Sequence, residues 1–295
     1  GYIWFGTDRG LVKYNGYEFK VFTVKDGLST NVIFKLDIDP LGRVCCYGKD
    51  RKFHILKGDR FEEFKYDERP EELISTQSNL LDFDFNKNGF VCATFDKKKK
   101  SSIYTEIALD GSERHIRKNG VHLESKESTT ISFKISSIPK FGTEKFPLFY
   151  NGVFIDSLLI DESANYFACT QRNSEMIYFT ILNTLYQFNP ESKDIKLMKV
   201  FNEQILDLCL DKYGNLFAAL RHDGLWKRGP QESDEFECLL ADRSIPSVFV
   251  DEQDGIWATT LFNGIYYCVD QNTRTFYSDQ KPLRFKEIDS TMFVL

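Results

Sequence analysis

The first fourteen residues, Gly1-Tyr-Ile-Trp-Phe-Gly-Thr-Asp-Arg-Gly-Leu-Val-Lys-Tyr14, predict a β-hairpin. An apolar strand passes Trp4 and Thr7, breaks at a polar turn that contains a glycine, and resumes at Leu11. Near the other end of the chain, Gly255-Ile-Trp-Ala-Thr-Thr-Leu-Phe-Asn-Gly-Ile-Tyr266 follows the same plan. Self-similarity at a fixed period is the signature of a repeat architecture, so the spacing of the copies decides the fold.

The strand that begins this hairpin recurs along the chain. Further copies begin at Gly42, Gly89, Gly214 and Gly255, and a degenerate copy runs Ala164-Asn-Tyr-Phe-Ala-Cys169. Counted from Gly1, successive starts are 41, 47, 75, 50 and 41 residues apart. A four-stranded propeller blade takes about 40–50 residues, so every step except the longest fits one blade.

The 75-residue step indicates either one blade with an insertion or two short blades. In the second case, Thr130-Ile-Ser-Phe-Lys-Ile135 and Phe146-Pro-Leu-Phe-Tyr150 are strands of the additional blade. We favour two short blades, which gives about seven blades in the chain, and keep six as the alternative.

A second apolar strand precedes the glycine-led strand in most copies. It reads Phe34-Lys-Leu-Asp-Ile38, Leu81-Asp-Phe-Asp-Phe85, Leu206-Asp-Leu-Cys-Leu210 and Val248-Phe-Val250. We name it strand A, the glycine-led strand B, and the two strands that complete a blade C and D. The chain starts at a strand B, and its end, Ile288-Asp-Ser-Thr-Met-Phe-Val-Leu295, resembles a strand A.

We therefore expect the C-terminal strand to pair with the first blade, because closing the ring removes exposed sheet edges. The prediction is an all-β fold, a single β-propeller domain over residues 1–295 built from four-stranded blades. The chain opens on Gly rather than Met, and we expect it to be part of a longer protein.

Composition and motifs exclude several classes of function. The net charge of −6 argues against a nucleic-acid surface or an anionic membrane surface. There is no apolar run long enough to span a membrane, no phosphate loop, no dinucleotide fingerprint and no metal-ligand spacing of Cys and His. We predict no cofactor, no metal and no catalytic residue, and interpret the seven cysteines as small packing residues.

The first 42 residues resemble a known family. Trp4-Phe-Gly-Thr-Asp-Arg-Gly-Leu-Val-Lys-Tyr14 is followed by Phe19-Lys-Val-Phe22, Asp26-Gly-Leu-Ser-Thr-Asn31 and Asp39-Pro-Leu-Gly42. This order is similar to the two-component-regulator propeller repeat, which runs Trp-x-Gly-Thr, Gly-Leu, an aromatic residue, Asp-Gly-Leu-Ser-Ser-Asn and Asp-x-x-Gly. Later copies match less well, and residues 95–150 hardly match.

The resemblance implies a sensor. In that family, propellers form the periplasmic part of membrane-spanning histidine kinases or hybrid regulators, and they often recognise glycans or their breakdown products. It implies a periplasmic domain of a multidomain inner-membrane protein. The partners that it implies are further propeller or β-sandwich domains of the same chain, and we add a homodimer as an expectation.

Propeller geometry predicts where a ligand binds. With strand A innermost, the loops from B to C and from D to A open on one face. The candidate ligand-binding residues there are Asp8, Arg9, Arg51, Arg172, Asn173, Arg221, His222, Phe262 and Asn263. Charged, amide and aromatic groups around a channel suit a small polar ligand such as a sugar. The same face carries Asp26 to Asn31 and Lys49 to Arg51, and Asp8, Asp26 and Asn31 are also typical residues for capping their own loops.

The leading hypothesis is a non-enzymatic, ligand-sensing propeller of a two-component regulator. One alternative is a propeller lyase or glycoside hydrolase that uses channel carboxylates or His222. The other is a protein-interaction scaffold.

Overall fold

The protein is represented by a computed structural model. It describes residues 1–39, 41–50, 52–64, 78–86, 89–96, 101–108, 113–118, 121–123, 144–150, 153–160, 170–172, 175–269, 285–288 and 291–294. The chain divides into two compact units, Gly1–Leu206 and Asp207–Leu295. A single domain over residues 1–295 stays a prediction.

The first unit opens with three sheets in which neighbours in sequence are neighbours in space. The first sheet is β1 (Ile3–Gly6), β2 (Leu11–Tyr14) and β3 (Phe19–Phe22). The second is β4 (Ile33–Ile38), β5 (Val44–Gly48), β6 (Phe53–Lys57) and β7 (Arg60–Glu63). The third is β8 (Ser78–Asn86), β9 (Gly89–Asp96), β10 (Ser101–Ala108) and β11 (Glu113–Lys118).

Two further sheets complete the described part of the first unit. One is β12 (Val121–Leu123), β13 (Glu144–Tyr150) and β14 (Val153–Ile160), in which β12 and β13 run parallel. The other is β15 (Thr170–Arg172), β16 (Ile177–Ile181), β17 (Thr184–Phe188) and β18 (Ile195–Val200), paired antiparallel.

The second unit begins inside β19. Its strands are β19 (Ile205–Leu210), β20 (Leu216–Leu220), β21 (Gly224–Arg228) and β22 (Glu237–Leu240), then β23 (Ser247–Val250), β24 (Ile256–Thr259) and β25 (Ile265–Cys268), then β26 (Phe285–Ile288) and β27 (Thr291–Val294). These form sheets of four, three and two strands. The chain is therefore all-β, as predicted, with sheets of up to four strands whose described pairs are antiparallel except for β12 and β13.

The predicted A and B strands are confirmed in four sheets. They are β4 and β5, β8 and β9, β19 and β20, and β23 and β24. A strand that is covered on both faces has no need to alternate apolar and polar residues. Every residue of β5, β16 and β20 is buried, so these strands are covered on both faces.

The turn from strand A to strand B has the same structure in three sheets, and an aspartate organises it. In Asp39, Asp211 and Asp251, Oδ1 accepts the backbone N–H groups of the second and fourth residues that follow, at 2.8–3.0 Å. The second carboxylate oxygen accepts a hydrogen bond from a side chain. The donor is Arg43 Nε for Asp39, Asn215 Nδ2 for Asp211 and Trp257 Nε1 for Asp251. Two of these turns read Asp-x-x-Gly, and after Asp251 the third residue is Asp254, whose φ is likewise positive at +67°. The aspartate that begins each turn is thus a structural turn signal.

In three places, a backbone hydrogen bond joins the residue at or just before the start of a strand A to the preceding sheet. The N–H of Ile33, Ile205 and Ile245 donates to the carbonyl of Thr7, Leu182 and Leu220, at 2.8, 2.9 and 3.0 Å. All three isoleucines are buried, so the bond is held by packing as well. These bonds fix the loops that end at strand A against the loops that begin after strand B.

The first two sheets share one core. It contains Leu11, Phe22, Leu28, Ile33, Val44, Cys46 and Phe61, all buried, with Trp4 packed against them. The ring of Phe22 lies 5.6 Å from Trp4 and 5.4 Å from Phe61, centroid to centroid, in stacked and edge-on contacts. The aromatic residues of the repeat therefore fill the space between consecutive sheets.

The sheet of β15 to β18 shows a strand B that the sequence alignment missed. The degenerate copy Ala164 to Cys169 and the segment Thr130 to Ile135 lie outside the described residues. In this sheet the second strand is β16, and it is the fully buried one. Its sequence, Ile177-Tyr-Phe-Thr-Ile181, lacks the leading glycine on which the copies were aligned.

Two fold predictions stay predictions. The C-terminal strand β27 pairs with β26 in an antiparallel hairpin, and its pairing with the first blade is not established. The number of blades is likewise open between seven and six. The predicted strand Phe146 to Tyr150 does exist within β13, where it pairs with β14.

Candidate functional site

The loop from β1 to β2 presents Asp8 and Arg9 to solvent. Thr7 organises it, because its Oγ1 donates to the Gly10 carbonyl at 2.7 Å and accepts the Arg9 N–H at 3.0 Å. Gly10 closes the loop with φ of +139°, and a Cβ there would lie 2.3 Å from the Phe22 carbonyl oxygen. Both candidate side chains are exposed, and neither makes a hydrogen bond or ion pair with the part of the chain described.

The loop from β3 to β4 is capped by its own polar residues. Thr23 precedes one turn of 3-10 helix, Val24–Asp26, and its backbone N–H donates to Asp26 Oδ2 at 2.8 Å. The N–H of Val24 donates to Asn31 Oδ1 at 3.0 Å. Asp26 and Asn31 therefore do what the capping interpretation predicts. The Asp-Gly-Leu-Ser-Thr-Asn motif is at least in part a loop-folding signal.

The same loop is also held by His54, a buried histidine that was not among the predicted site residues. The N–H of Ser29 donates to His54 Nε2 at 3.2 Å, and Ser29 Oγ donates to Asp50 in the loop from β5 to β6. His54 is only 2% exposed, and burial lowers the pKa of its imidazole below the usual range, against the raising influence of Asp50 and Glu63. The neutral ring thus ties the two loops together as an acceptor.

In the second unit, Ser244 joins three loops. Its Oγ accepts the backbone N–H of His222 at 3.1 Å and lies 2.8 Å from His222 Nδ1. Its carbonyl accepts the N–H of Leu261 at 3.2 Å. We call residues 221–224, 241–246 and 260–264 the Ser244 loops. Because one buried serine holds all three, the side chains at their tips stand on a fixed base.

The Ser244 loops carry four of the predicted ligand residues. Arg221 and His222 follow β20, and His222 has a left-handed backbone with φ of +66°. Phe262, 89% exposed, and Asn263 lie on the loop from β24 to β25. Beside them the structure adds a residue that the sequence did not single out, Arg243. Its Nε donates to Tyr266 Oη at 3.5 Å, and this hydrogen bond raises the pKa of the guanidinium.

The loop under Phe262 is held by a second threonine clamp. Thr260 Oγ1 donates to the Gly264 carbonyl at 2.7 Å and accepts the Asn263 N–H at 2.8 Å. This repeats the Thr7 clamp of the first hairpin and explains why Thr recurs at the end of strand B. Because Thr260 holds the backbone of this loop, the ring of Phe262 is exposed at a fixed position and does not pack onto the sheet.

Three predicted site residues need separate mention. Arg172 lies in β15, the first strand of its sheet, and the connection after it leads to the second strand. Its placement on a loop from B to C is therefore wrong, because the true strand B of that sheet is β16. Arg51 and Asn173 lie outside the described residues.

Among the described residues, no group of three His, Cys, Asp or Glu side chains is arranged to hold a metal ion. The Ser244–His222 contact holds two loops together, with Ser244 only 9% exposed and its Oγ accepting a backbone N–H. Burial raises the pKa of the Cys45, Cys46 and Cys209 thiols to about 12, so they stay protonated packing residues.

Comparison with solved structures gives the fold a context. The chain is similar to the extracellular domain of BT4673 from B. thetaiotaomicron, described as a hybrid two-component system, with a TM-score of 0.63 and 16% identity over 97% of this chain and 37% of that one. It is similar to the corresponding domain of BT3049, with a TM-score of 0.60 and 16% identity over 90% and 38%. The WD40 β-propeller domain of Doa1 matches with a TM-score of 0.56 and 12% identity over 92% and 90%.

These likenesses confirm, at the level of fold, the resemblance found in the sequence motifs. The chain spans a little over a third of the length of the two extracellular domains. No protein-family profile matches the chain, and no curated protein matches its sequence. Within the described residues, no helix has the length and apolar character needed to cross a membrane.

Proposed function

We propose that this chain is a non-enzymatic, ligand-sensing propeller of a two-component receptor. The observation that carries the proposal is the shared fold with extracellular domains described as parts of hybrid two-component systems. The receptor is a periplasmic part of an inner-membrane protein, with other propeller or sandwich domains in the same chain and a kinase on the far side of the membrane. The propeller is a closed ring of about seven blades.

The Ser244 loops are the part of the proposed sensor best suited to hold a ligand. They combine an exposed aromatic ring, a guanidinium, an imidazole and a carboxamide on one clamped base. An aromatic face with a few fixed polar groups around it is the chemistry that binds a sugar ring or another small polar molecule. A glycan or glycan fragment is therefore the proposed ligand. In the first unit, Asp8 and Arg9 are proposed separately as ligand-binding residues.

Calorimetric titration of the 295-residue protein with a panel of neutral and acidic glycan fragments tests the proposal. We expect at least one fragment to bind, and Phe262→Ala or Arg221→Ala to weaken its affinity about tenfold or more, the effect of removing one anchoring side chain. Tyr17→Ala is the matched control, since Tyr17 is 93% exposed but lies at the turn between β2 and β3.

Two outcomes count against the sensor. If no fragment binds, the ligand class is wrong. If the protein consumes a fragment and loses that activity with His222→Ala, the enzyme alternative replaces the sensor.

A further inference from the structure

The loop under Phe262 contains a dipeptide with its own chemistry. Five Asn-Gly pairs occur in the sequence, and in two of them, Asn15-Gly16 and Asn263-Gly264, both residues are described. The two sites are closely matched. Each lies in a tight turn, and each glycine has a left-handed backbone, with φ of +99° at Gly16 and +75° at Gly264. Neither glycine has a heavy atom within 4 Å of where a Cβ would be.

The asparagine side chains differ. Asn15 Oδ1 accepts the backbone N–H groups of Tyr17 and Glu18 at 2.9 and 2.8 Å, so its carboxamide is held in place. The Asn263 carboxamide makes no hydrogen bond with any residue described, and residues 261–264 are all exposed. Among the described residues, the hydrogen bond of Asn263 is that of its backbone N–H to Thr260 Oγ1. The clamp thus fixes the backbone and leaves the side chain free to rotate.

We propose that Asn263 is a site of spontaneous deamidation and isoaspartate formation, and that the fold protects Asn15 from the same reaction. The Gly264 backbone nitrogen loses its proton to hydroxide and attacks Cγ of Asn263. A C–N bond forms, the Cγ–Nδ2 bond breaks, and ammonia leaves. Water then opens the succinimide at either carbonyl and gives aspartate or isoaspartate, so the balance is asparagine plus water to acid plus ammonia.

The structure supports this assignment at each reacting atom. Gly264 has no side chain to shield its nitrogen, and its N–H donates to no residue among those described. At Asn15 the carboxamide must first break two hydrogen bonds before the same attack can occur. Each bond lowers the population of the reactive conformation several-fold, so we expect deamidation at Asn15 to be at least ~10-fold slower than at Asn263. The product at position 263 is a carboxylate beside Phe262, and isoaspartate also lengthens the backbone of a clamped loop.

The experiment is peptide mapping by mass spectrometry. The purified protein is kept in mildly alkaline buffer at a temperature where it is folded, and deamidation at each asparagine is followed with time. We expect product at Asn263 to accumulate at least ~10-fold faster than at Asn15, and a second incubation in urea to bring the two rates together, because unfolding frees Asn15.

Equal rates in the folded protein, or faster reaction at Asn15, would overturn the proposal. A rate difference that persists in urea would also overturn it, since local sequence and not the fold would then be the cause. Asn263→Gln is the control variant, because glutamine forms the larger cyclic imide slowly. It should abolish the product at this position and leave the rate at Asn15 unchanged.

Discussion

Two residues have structural roles that the repeat motif does not reveal. The first is His54. It accepts the Ser29 N–H and lies buried, so the folded protein holds it neutral. Its pKa is lowered in the folded state, whereas an unfolded histidine titrates near ~6.5. Below that pH the unfolded chain binds more protons than the folded one. The stabilisation from His54 is therefore complete above ~6.5 and is lost as pH falls.

We predict that the free energy of unfolding, measured by urea titration between neutral and mildly acidic pH, falls as the pH is lowered, and that His54→Phe flattens this decline. His222→Ala serves as the control, because His222 is exposed and should leave the decline in place. A decline of equal slope in the wild-type protein and in His54→Phe would rule out His54 as its source.

Gly224 is the second residue with a role of its own. Its φ is +81°, and a Cβ there would lie 1.7 Å from the Leu240 carbonyl oxygen in β22. Gly16 also has positive φ but open space around it. Both Gly→Ala changes carry the left-handed penalty of about 1–2 kcal/mol. Only Gly224→Ala must also displace a neighbouring strand, so we expect it to lose roughly 1–3 kcal/mol more than Gly16→Ala by chemical denaturation.

Similar losses in the two glycine variants would mean that β22 moves aside easily. Close packing against a neighbouring strand explains why position 224 is a glycine. The same holds at position 10, where a Cβ would meet the Phe22 carbonyl oxygen. Glycine at the start of strand C is thus a packing requirement between strands C and D. The sequence pattern shows Gly224 but not the reason for it, because the Leu240 carbonyl that requires a glycine there lies 16 residues further along the chain.

At the scale of elements, β3 shows how one strand divides its side chains between core and surface. Phe22 is 1% exposed and touches Trp4 and Phe61, whereas Phe19 is 63% exposed and stacks only on Tyr14 among the rings described. We predict that Phe22→Ala lowers the free energy of unfolding by about 3–5 kcal/mol. Phe19→Ala on the same strand should lower it by less than about 1.5 kcal/mol. Comparable losses would show that the exposed face of β3 is covered in solution.

The elements also show what the sequence could and could not predict. Strands A and B were predictable wherever a turn that begins with Asp or Asn and contains glycine separates them, because that turn is local. Strand β16 was missed because its burial depends on neighbouring sheets, while its sequence lacks the leading glycine. The error at Arg172 followed from that miss, since a misplaced strand B also misplaces the loops next to it in the same sheet.

The candidate site was predictable in outline only. Loop positions follow from the repeat, so Asp8, Arg9, Arg221, His222, Phe262 and Asn263 were found as exposed loop residues. The contacts that hold these loops come from residues distant in sequence, such as Ser244 for His222 and His54 for Ser29. A single sequence carries no signal for such pairs, because their spacing depends on how sheets follow one another.

At the scale of the whole molecule, ring closure is the prediction that matters most. Cross-strand register places Ile3, Tyr14 and Phe19 on one face of the first sheet, together with Phe5, Val12 and Val21. Ile3, Phe5, Val12 and Tyr14 supply this face in β1 and β2, while the opposite face carries Leu11 and Phe22 into the core shared with the second sheet, together with Lys13 and Lys20. Apolar residues on both faces are what a blade between two neighbours needs. We therefore expect the first blade to have a neighbour on each side, as in a closed ring.

Closure also makes a prediction about the backbone of β1. As an edge strand, β1 protects only the amides that point toward β2. Pairing with a C-terminal strand protects the alternate amides as well. We predict that hydrogen exchange is slow at successive amides of Ile3–Gly6 in the 295-residue protein, and that removing residues 291–295 makes only the alternate set fast. Amides of β16 are the internal control and should not change. If the alternate amides of β1 exchange quickly before truncation, the ring is open at this strand, and the C-terminal segment has another role.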